Sequence, residues 1–567
     1  MFSLTRWLSS NAQNAQRRAA QRPRPTIKRQ LFRPGLEDLE HRITPATITW
    51  SGALSSDWNV PGNWVGGVVP KANDDLVFNA AGLNGANMNN NLAGSGAITF
   101  NSITFSSGGY SISLGRDIRL TAGLTNTAGV NTFNVDIALG GAQVFNIIDG
   151  QVVINGDVSG AATASIAKTG AGILTYNGNN TYTGATTVFG GVLQLNDTTP
   201  GANPNAINGA LIINAGAGLA ATVELLASNQ ILNSVNVSIL NGGILDLNGN
   251  LEQIAGLTLT GGNVNIDGGG ILTLTGNVTT TASTFVSAIN GPGTLTLAGT
   301  GTRTFTVADG TVADDLVVTA TINATAGLTK TGAGLMALSA ANAYTGVTTV
   351  SAGILEVRNA SALGAGGTSG NRTSVSAGAT VQLANGVDVG NELLSLAGTL
   401  SSLAGNTTWA GNITLVANSI IDVDAGTLFL TGLISGSFGV TKVGAGTVQY
   451  NGTVSNTYTG TTRVNEGTLE LNMFGLNALA NSGALIIGDG IGGADADQVV
   501  LHQNDQIPNN KPITVNSSGL LNLNGFNDTT GTITLAGGHI NTNGGTLTLA
   551  GHMTTTASTV TALIEGR

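Results

Sequence analysis

The chain has 567 residues, 41 % of them hydrophobic and only 9 % charged, which supplies a buried core and excludes a charge-rich disordered chain. Glycine (83 residues) is about twice its usual share while proline (11) is scarce, so a collagen-like triple helix is excluded. Residues 1–45 hold 9 Lys and Arg against 3 Asp and Glu, leaving an acidic body of 12 against 28 that suits neither nucleic acid nor an anionic membrane face, and the lack of cysteine removes disulfides, zinc thiolates and thiol nucleophiles.

Residues 1–45 lack the apolar run of an ordinary secretory signal and of a membrane anchor. Arg17 and Arg18 form a pair, but the Ala-Ala-Gln-Arg-Pro that follows is not the apolar stretch of a twin-arginine signal. The plain expectation is a disordered basic tail. RPGLEDLEHRITPA, from Arg33 to Ala46, resembles the N-terminal segment of many planctomycete extracellular proteins, and that resemblance implies export; a short amphipathic helix is the local alternative.

From Ile48 onward, short stretches alternate apolar and polar residues between Gly, Asn, Asp and Ser, the pattern of half-buried strands joined by turns. GVLQLN (from Gly191), GILDLN (from Gly243), GTLELN (from Gly467) and GLLNLN (from Gly519) would each bury leucines and expose the polar residue between them. Larger blocks recur too. IAKTGAGILTYNGNNTYTGATTVFGGVLQL starts at Ile166, a relative of it at Leu328, and a third at Val440 with two extra residues in the stretch NGTVSN, which is therefore expected on the surface. Blocks related by insertion or deletion of whole pieces suit a solenoid, in which each coil touches only its neighbours.

The expected fold is all-β: an elongated, right-handed parallel β-helix of about 20 residues per coil, roughly 26 coils and about 120 Å long. The organisation read from the repeats is a tail (1–45), an N-terminal cap with the first coils (46–160), and repeat units at 161–322, 323–434 and 435–567. The last unit stops at a point matching Asn290 or Gly291 of the first. This leaves a fragment, a truncated gene or another export route open.

Lys168, Gly170, Gly172, Tyr182 and Gly184, repeated at Lys330, Gly332, Gly334, Tyr344 and Gly346, together with the Asn-x-Tyr-Thr-Gly-x-Thr-Thr-Val pattern, resemble the autotransporter-associated β-strand repeat, also called the passenger-associated transport repeat. The third copy departs mildly at Val443 and Arg463. The resemblance implies a secreted β-helical passenger, extracellular or at the outer cell surface, adhesin-like and with no catalytic activity; its partner would be an unidentified surface ligand such as a glycan or another cell surface. The glycines are expected at coil corners, Tyr344 in packing, and Lys330 in solvent at a strand entry.

The rival readings rest on acidic residues. Asp74 with Asp75, and Asp314 with Asp315, precede strands and are expected in turns, without a basic cluster beside them; a polysaccharide-active enzyme would need facing carboxylates. GDGIGGADADQVV partly resembles a calcium-binding nonapeptide and makes Asp489, Asp495 and Asp497 calcium candidates, with an acidic loop as the alternative. No other cofactor is indicated. His41, His502, His539 and His552 stand at no metal-ligand spacing and are read as surface residues. Trp50, Trp58 and Trp64 either seal the apolar end of the solenoid or stack sugars.

Overall fold

A computed structural model describes residues 45–199, 205–216 and 218–566. The tail, with Arg17, Arg18, His41 and most of the export-like segment, lies outside the described residues. Residues 45–567 form one compact unit.

This unit is a parallel β-solenoid of about 22 turns. Most coils lay down short strands on three faces, and each strand pairs in parallel register with the coils before and after it. On one face Leu251–Ile254 pairs with Ile271–Leu274, which pairs with Thr294–Leu297. The alternation in sequence explains the core. In Gly191–Leu195 the leucines at 193 and 195 point inward while Gln194 points out. Stacking coils in register then places like on like: Leu174, Leu193, Val223, Leu245, Val264, Ile289, Val318 and Leu338 form one continuous buried column. Each such side chain contributes about 1.5–3 kcal/mol by leaving water.

Polar ladders run outside these columns. Asn155 donates to Asn134 (2.6 Å), Asn177 to Asn155 (2.6 Å) and Asn196 to Asn177 (2.9 Å), so the asparagine that ends GVLQLN belongs to a corner stack. The coil count is lower than a 20-residue period predicts. The turn after each repeat carries a long corner loop: Leu193 pairs with Val223 and Leu469 with Val499, each 30 residues on. At about 4.8 Å per coil the rod is about 105 Å long.

The tryptophans seal the N-terminal end. Trp50, Trp58 and Trp64 are all buried, with Trp64 edge-on to Trp50 (4.9 Å between ring centroids) and to Trp58 (5.7 Å), and Phe78 stacks on Phe105 beneath them (5.1 Å). Their rings serve packing, and none is open to a sugar.

Candidate functional site

The residues that recur in all three repeats come together in space, and each is used within the coil. Lys168, Lys330 and Lys442 are buried. The expected solvated position is corrected by strand alternation: Lys330 lies two residues after Leu328 on the inward face, so its stem is buried inside the coil. At the corner that follows its own strand its ammonium donates to the carbonyl oxygens of Thr331 (3.1 Å), Gly332 (2.8 Å) and Ala352 (3.0 Å). The acceptors belong to two successive coils. Lys442 does the same to Val443, Gly444 and Glu466, and Lys168 to Gly170 and Gly190. Burial pushes all three ammonium groups down to about 8.

The tyrosines pack as expected. Tyr182, Tyr344 and Tyr458 are buried, and each hydroxyl meets the threonine four residues on: Thr186 (2.7 Å), Thr348 (2.7 Å) and Thr462 (2.6 Å). The asparagine two residues before each tyrosine is a clamp whose role sequence reasoning missed. Asn342 accepts from the Ile322 N–H of the coil before (2.8 Å) and donates to the Ala362 carbonyl of the coil after (2.6 Å). Asn180 and Asn456 repeat both bonds. The polar stretch NGTVSN is accordingly only partly on the surface: Val454 is exposed and Asn456 is buried. The corner glycines do what the pattern predicts. Gly332 has φ +79°, and a Cβ there would stand 2.2 Å from the Val307 carbonyl oxygen of the preceding coil.

The acidic pairs divide. Asp74 accepts from the Lys71 N–H (2.8 Å), a turn bond, while Asp75 opens a strand and accepts from Asn101 (2.8 Å). Asp315 is buried and accepts from the Gly310 and Leu335 N–H groups (2.7 and 2.8 Å). Asp314, expected without a basic partner, has one: Arg358 grips it with two bonds (2.6 and 2.9 Å) and also reaches Glu356 (2.5 Å). Arg358 arrives from 44 residues away, beyond the reach of a local pattern.

The three calcium candidates have different surroundings. Asp489 caps its own turn at Ile491 N–H (2.8 Å), and Asp495 pairs with His539 Nδ1 (3.1 Å). Asp497 is buried with neither carboxylate oxygen in a hydrogen bond, and burial raises its pKa. Among the described residues no group of three or more His, Cys, Asp or Glu side chains converges as a metal site would require. His539 is correspondingly shielded, whereas His552 is exposed.

Several carboxyl groups were invisible as special in the sequence. Glu252, Glu392 and Asp528 point into the solenoid, and burial pushes them up to about 8, 7 and 7. Glu252 accepts from Gln230 and Ile231 N–H, and Asp528 repeats this with Gln506 and Ile507. On the outer face Glu224 sits in register beside Asp246 of the next coil.

Open clefts lie at the corner that follows the second and third repeats. One of about 320 Å³ is lined by Ala360, Ser361, Asp388, Asn391 and Glu392. The other, about 330 Å³, is lined by Phe474, Gly475, Asn477, Gln503, Asn504 and Asp505. Phe474 is 86 % exposed.

Comparison with known proteins agrees with the repeat pattern. Residues 166–195, 328–357 and 440–471 match the family model described as passenger-associated-transport-repeat, which supports that repeat family for the chain. No curated protein and no solved structure compared with the chain matches it. Passenger repeats on a β-solenoid fit a passenger-like structural protein. No helix among the described residues is long and apolar enough to cross a membrane.

Proposed function

We propose that the chain is exported and displayed outside the cell, where it acts as an adhesin-like, non-catalytic solenoid that holds binding surfaces away from its point of attachment. The observation that carries this reading is the use of the recurring residues. The lysine and asparagine of every repeat are buried and bonded to neighbouring coils, the tyrosine is buried and bonded within its own coil, and the corner glycine stands close against the coil before it, so what is copied from repeat to repeat is a means of stacking. Variation is left to the corner loops, where extended surfaces of solenoids bind their partners.

Protease treatment of intact cells producing the full chain tests the proposal. Loss of the solenoid from intact cells, with a cytoplasmic marker spared, is expected; protection of the chain until the cells are broken would sink it.

A second reading has one observation in its favour. Glu224 and Asp246 occupy the same strand position on adjacent coils, and burial, then Asp267 and Glu224, raise the pKa of Asp246. A glycan-cleaving site uses two facing carboxylates of this kind. Release of reducing sugar by the purified chain, abolished by Asp246→Asn, would favour it over the structural reading.

A further inference from the structure

The corner after the third repeat differs from its counterparts in one respect that packing does not explain. Gln506 is fully buried and fixes the loop there: its Nε2 donates to the carbonyls of Met473 (2.8 Å), Leu476 (3.0 Å) and Asn504 (3.0 Å), and its Oε1 accepts from Met473 N–H (2.7 Å). Gln230 makes the matching bonds to both backbone groups of Asp197 after the first repeat (2.7 and 3.0 Å). The next residue is therefore held in the same place in both corners, and it is Thr198 in one and Phe474 in the other. After the second repeat the corresponding residue is Ala360. A corner of this design closes with a small side chain. Phe474 instead carries a benzyl group 86 % exposed to water on a rigid loop.

Apart from Gly475 and Leu476, the groups that line the cleft with that ring are polar and planar. Asn504 and Asp505 are exposed, and Asn477 and Gln503 are half-buried. Asn504 spends its Oδ1 on the Asn527 N–H (2.8 Å), which leaves its NH2 free to donate; Gln503 spends its NH2 on Asn472 (3.3 Å), which leaves its carbonyl oxygen free to accept. A bare aromatic face flanked by amide and carboxylate groups, two of the amides held by hydrogen bonds, matches one ligand chemistry closely. A pyranose ring offers an apolar C–H face to stack on the aromatic and a rim of hydroxyls that both donate and accept. The cleft volume of about 330 Å³ lies at the lower end for small-molecule sites, about 300–1,000 Å³, and suits a short stretch of saccharide.

Charge narrows the class further. Asp505 lines the cleft, Glu470 faces His502 close by (3.4 Å), and the body of the chain is acidic, so a polyuronate would be repelled where a neutral sugar would not. We infer that the cleft formed by Phe474, Asn477, Gln503, Asn504 and Asp505 is a binding subsite for neutral saccharide chains. This rests on the surface-display reading above and names the ligand class of one of its surfaces.

Isothermal titration of the full chain with neutral hexasaccharides (β-1,4-glucose, β-1,3-glucose, α-1,4-glucose and β-1,4-mannose) and with hexagalacturonate tests the inference. At least one neutral oligosaccharide is expected to bind and the uronate not to. Phe474→Ala should weaken the retained oligosaccharide roughly tenfold, as expected for loss of one aromatic stacking contact, and Phe474→Trp should keep it. Asp505→Asn, which suits the left-handed backbone at that position (φ +57°), and Asn477→Ala should weaken it less. Because these side chains are exposed or half-buried outside the core, melting temperatures of all four variants should match the parent, so weaker binding cannot be ascribed to unfolding. Absence of binding to every neutral sugar, binding of the uronate alone, or unchanged affinity in Phe474→Ala overturns the inference. Failure here with the chain accessible to protease on intact cells leaves the display reading standing; protection from protease strikes that reading alone, since titration uses purified chain.

Discussion

A lysine ammonium taken out of water must recover its lost hydration from fixed acceptors, and Lys330 recovers part of it from three backbone carbonyls at the seam between two coils. A salt-bridge partner could be removed together with the lysine; carbonyls cannot. Lys330→Met keeps the stem in the core but deprives those oxygens of their donor, so it should lower stability by about 1–3 kcal/mol in chemical denaturation. An unchanged unfolding midpoint would show that the ammonium contributes nothing. Tyr344→Phe removes one hydroxyl bond to Thr348 and should cost about 1 kcal/mol by the same measurement. The inward direction of Lys330 was legible in the sequence, since Leu328 and Lys330 share one face of an alternating strand. What obscured it was the ordinary expectation that lysine seeks water, which holds only where no cluster of carbonyls stands at the end of its reach. Asn342 was hidden for a similar reason. Its two partners lie on different coils, and nothing local to Asn-x-Tyr announces them.

At the scale of the strand and its corner, glycine decides whether coils can stack at the spacing of a sheet. Two glycines separate the causes. Gly378 has φ +78° with nothing within 4 Å of a would-be Cβ, whereas Gly332 has φ +79° and the Val307 carbonyl oxygen at 2.2 Å. Alanine at 378 meets only the left-handed backbone cost of about 1–2 kcal/mol. Alanine at 332 meets that cost and must also push two coils apart, which adds about 1–3 kcal/mol. Melting curves of Gly332→Ala and Gly378→Ala should differ accordingly, and equal losses would mean that backbone conformation alone selects glycine. The glycine spacing in the repeats made these corners visible before any coordinates, and the apolar alternation did the same for the strands. The number of coils was overestimated because a fixed period treats corner loops as coil. Loops such as 472–484 lengthen a turn without adding a strand to the stack, and only the pairing register exposes them.

Across the whole rod, carboxyl groups inside the solenoid set how its stability responds to pH. Glu252, Glu392 and Asp528 sit on different coils, each buried and each pushed up, to about 8, 7 and 7. In the unfolded chain the same groups titrate near 4. Between those limits the folded state binds more protons than the unfolded state, so stability declines as pH rises from about 4 to about 8 and is flat below. The lysines act in the opposite sense but only higher: folded groups at about 8 and unfolded ones near 10.5 make stability recover above pH 8. The melting temperature should therefore be higher at pH 5 than at pH 8. Glu252→Gln keeps an oxygen for the Gln230 and Ile231 N–H groups and carries no titrating proton, so it should flatten the slope between those pH values and match the parent most nearly at pH 5. In a stack where each coil leans only on its neighbours, the loss should begin locally. Hydrogen exchange at pH 8 is expected to accelerate first in the strands around Glu252, Leu251–Ile254 and Ile271–Leu274, and a melting temperature that is constant or rises from pH 5 to 8 would refute the assignment of these carboxyl groups as its cause.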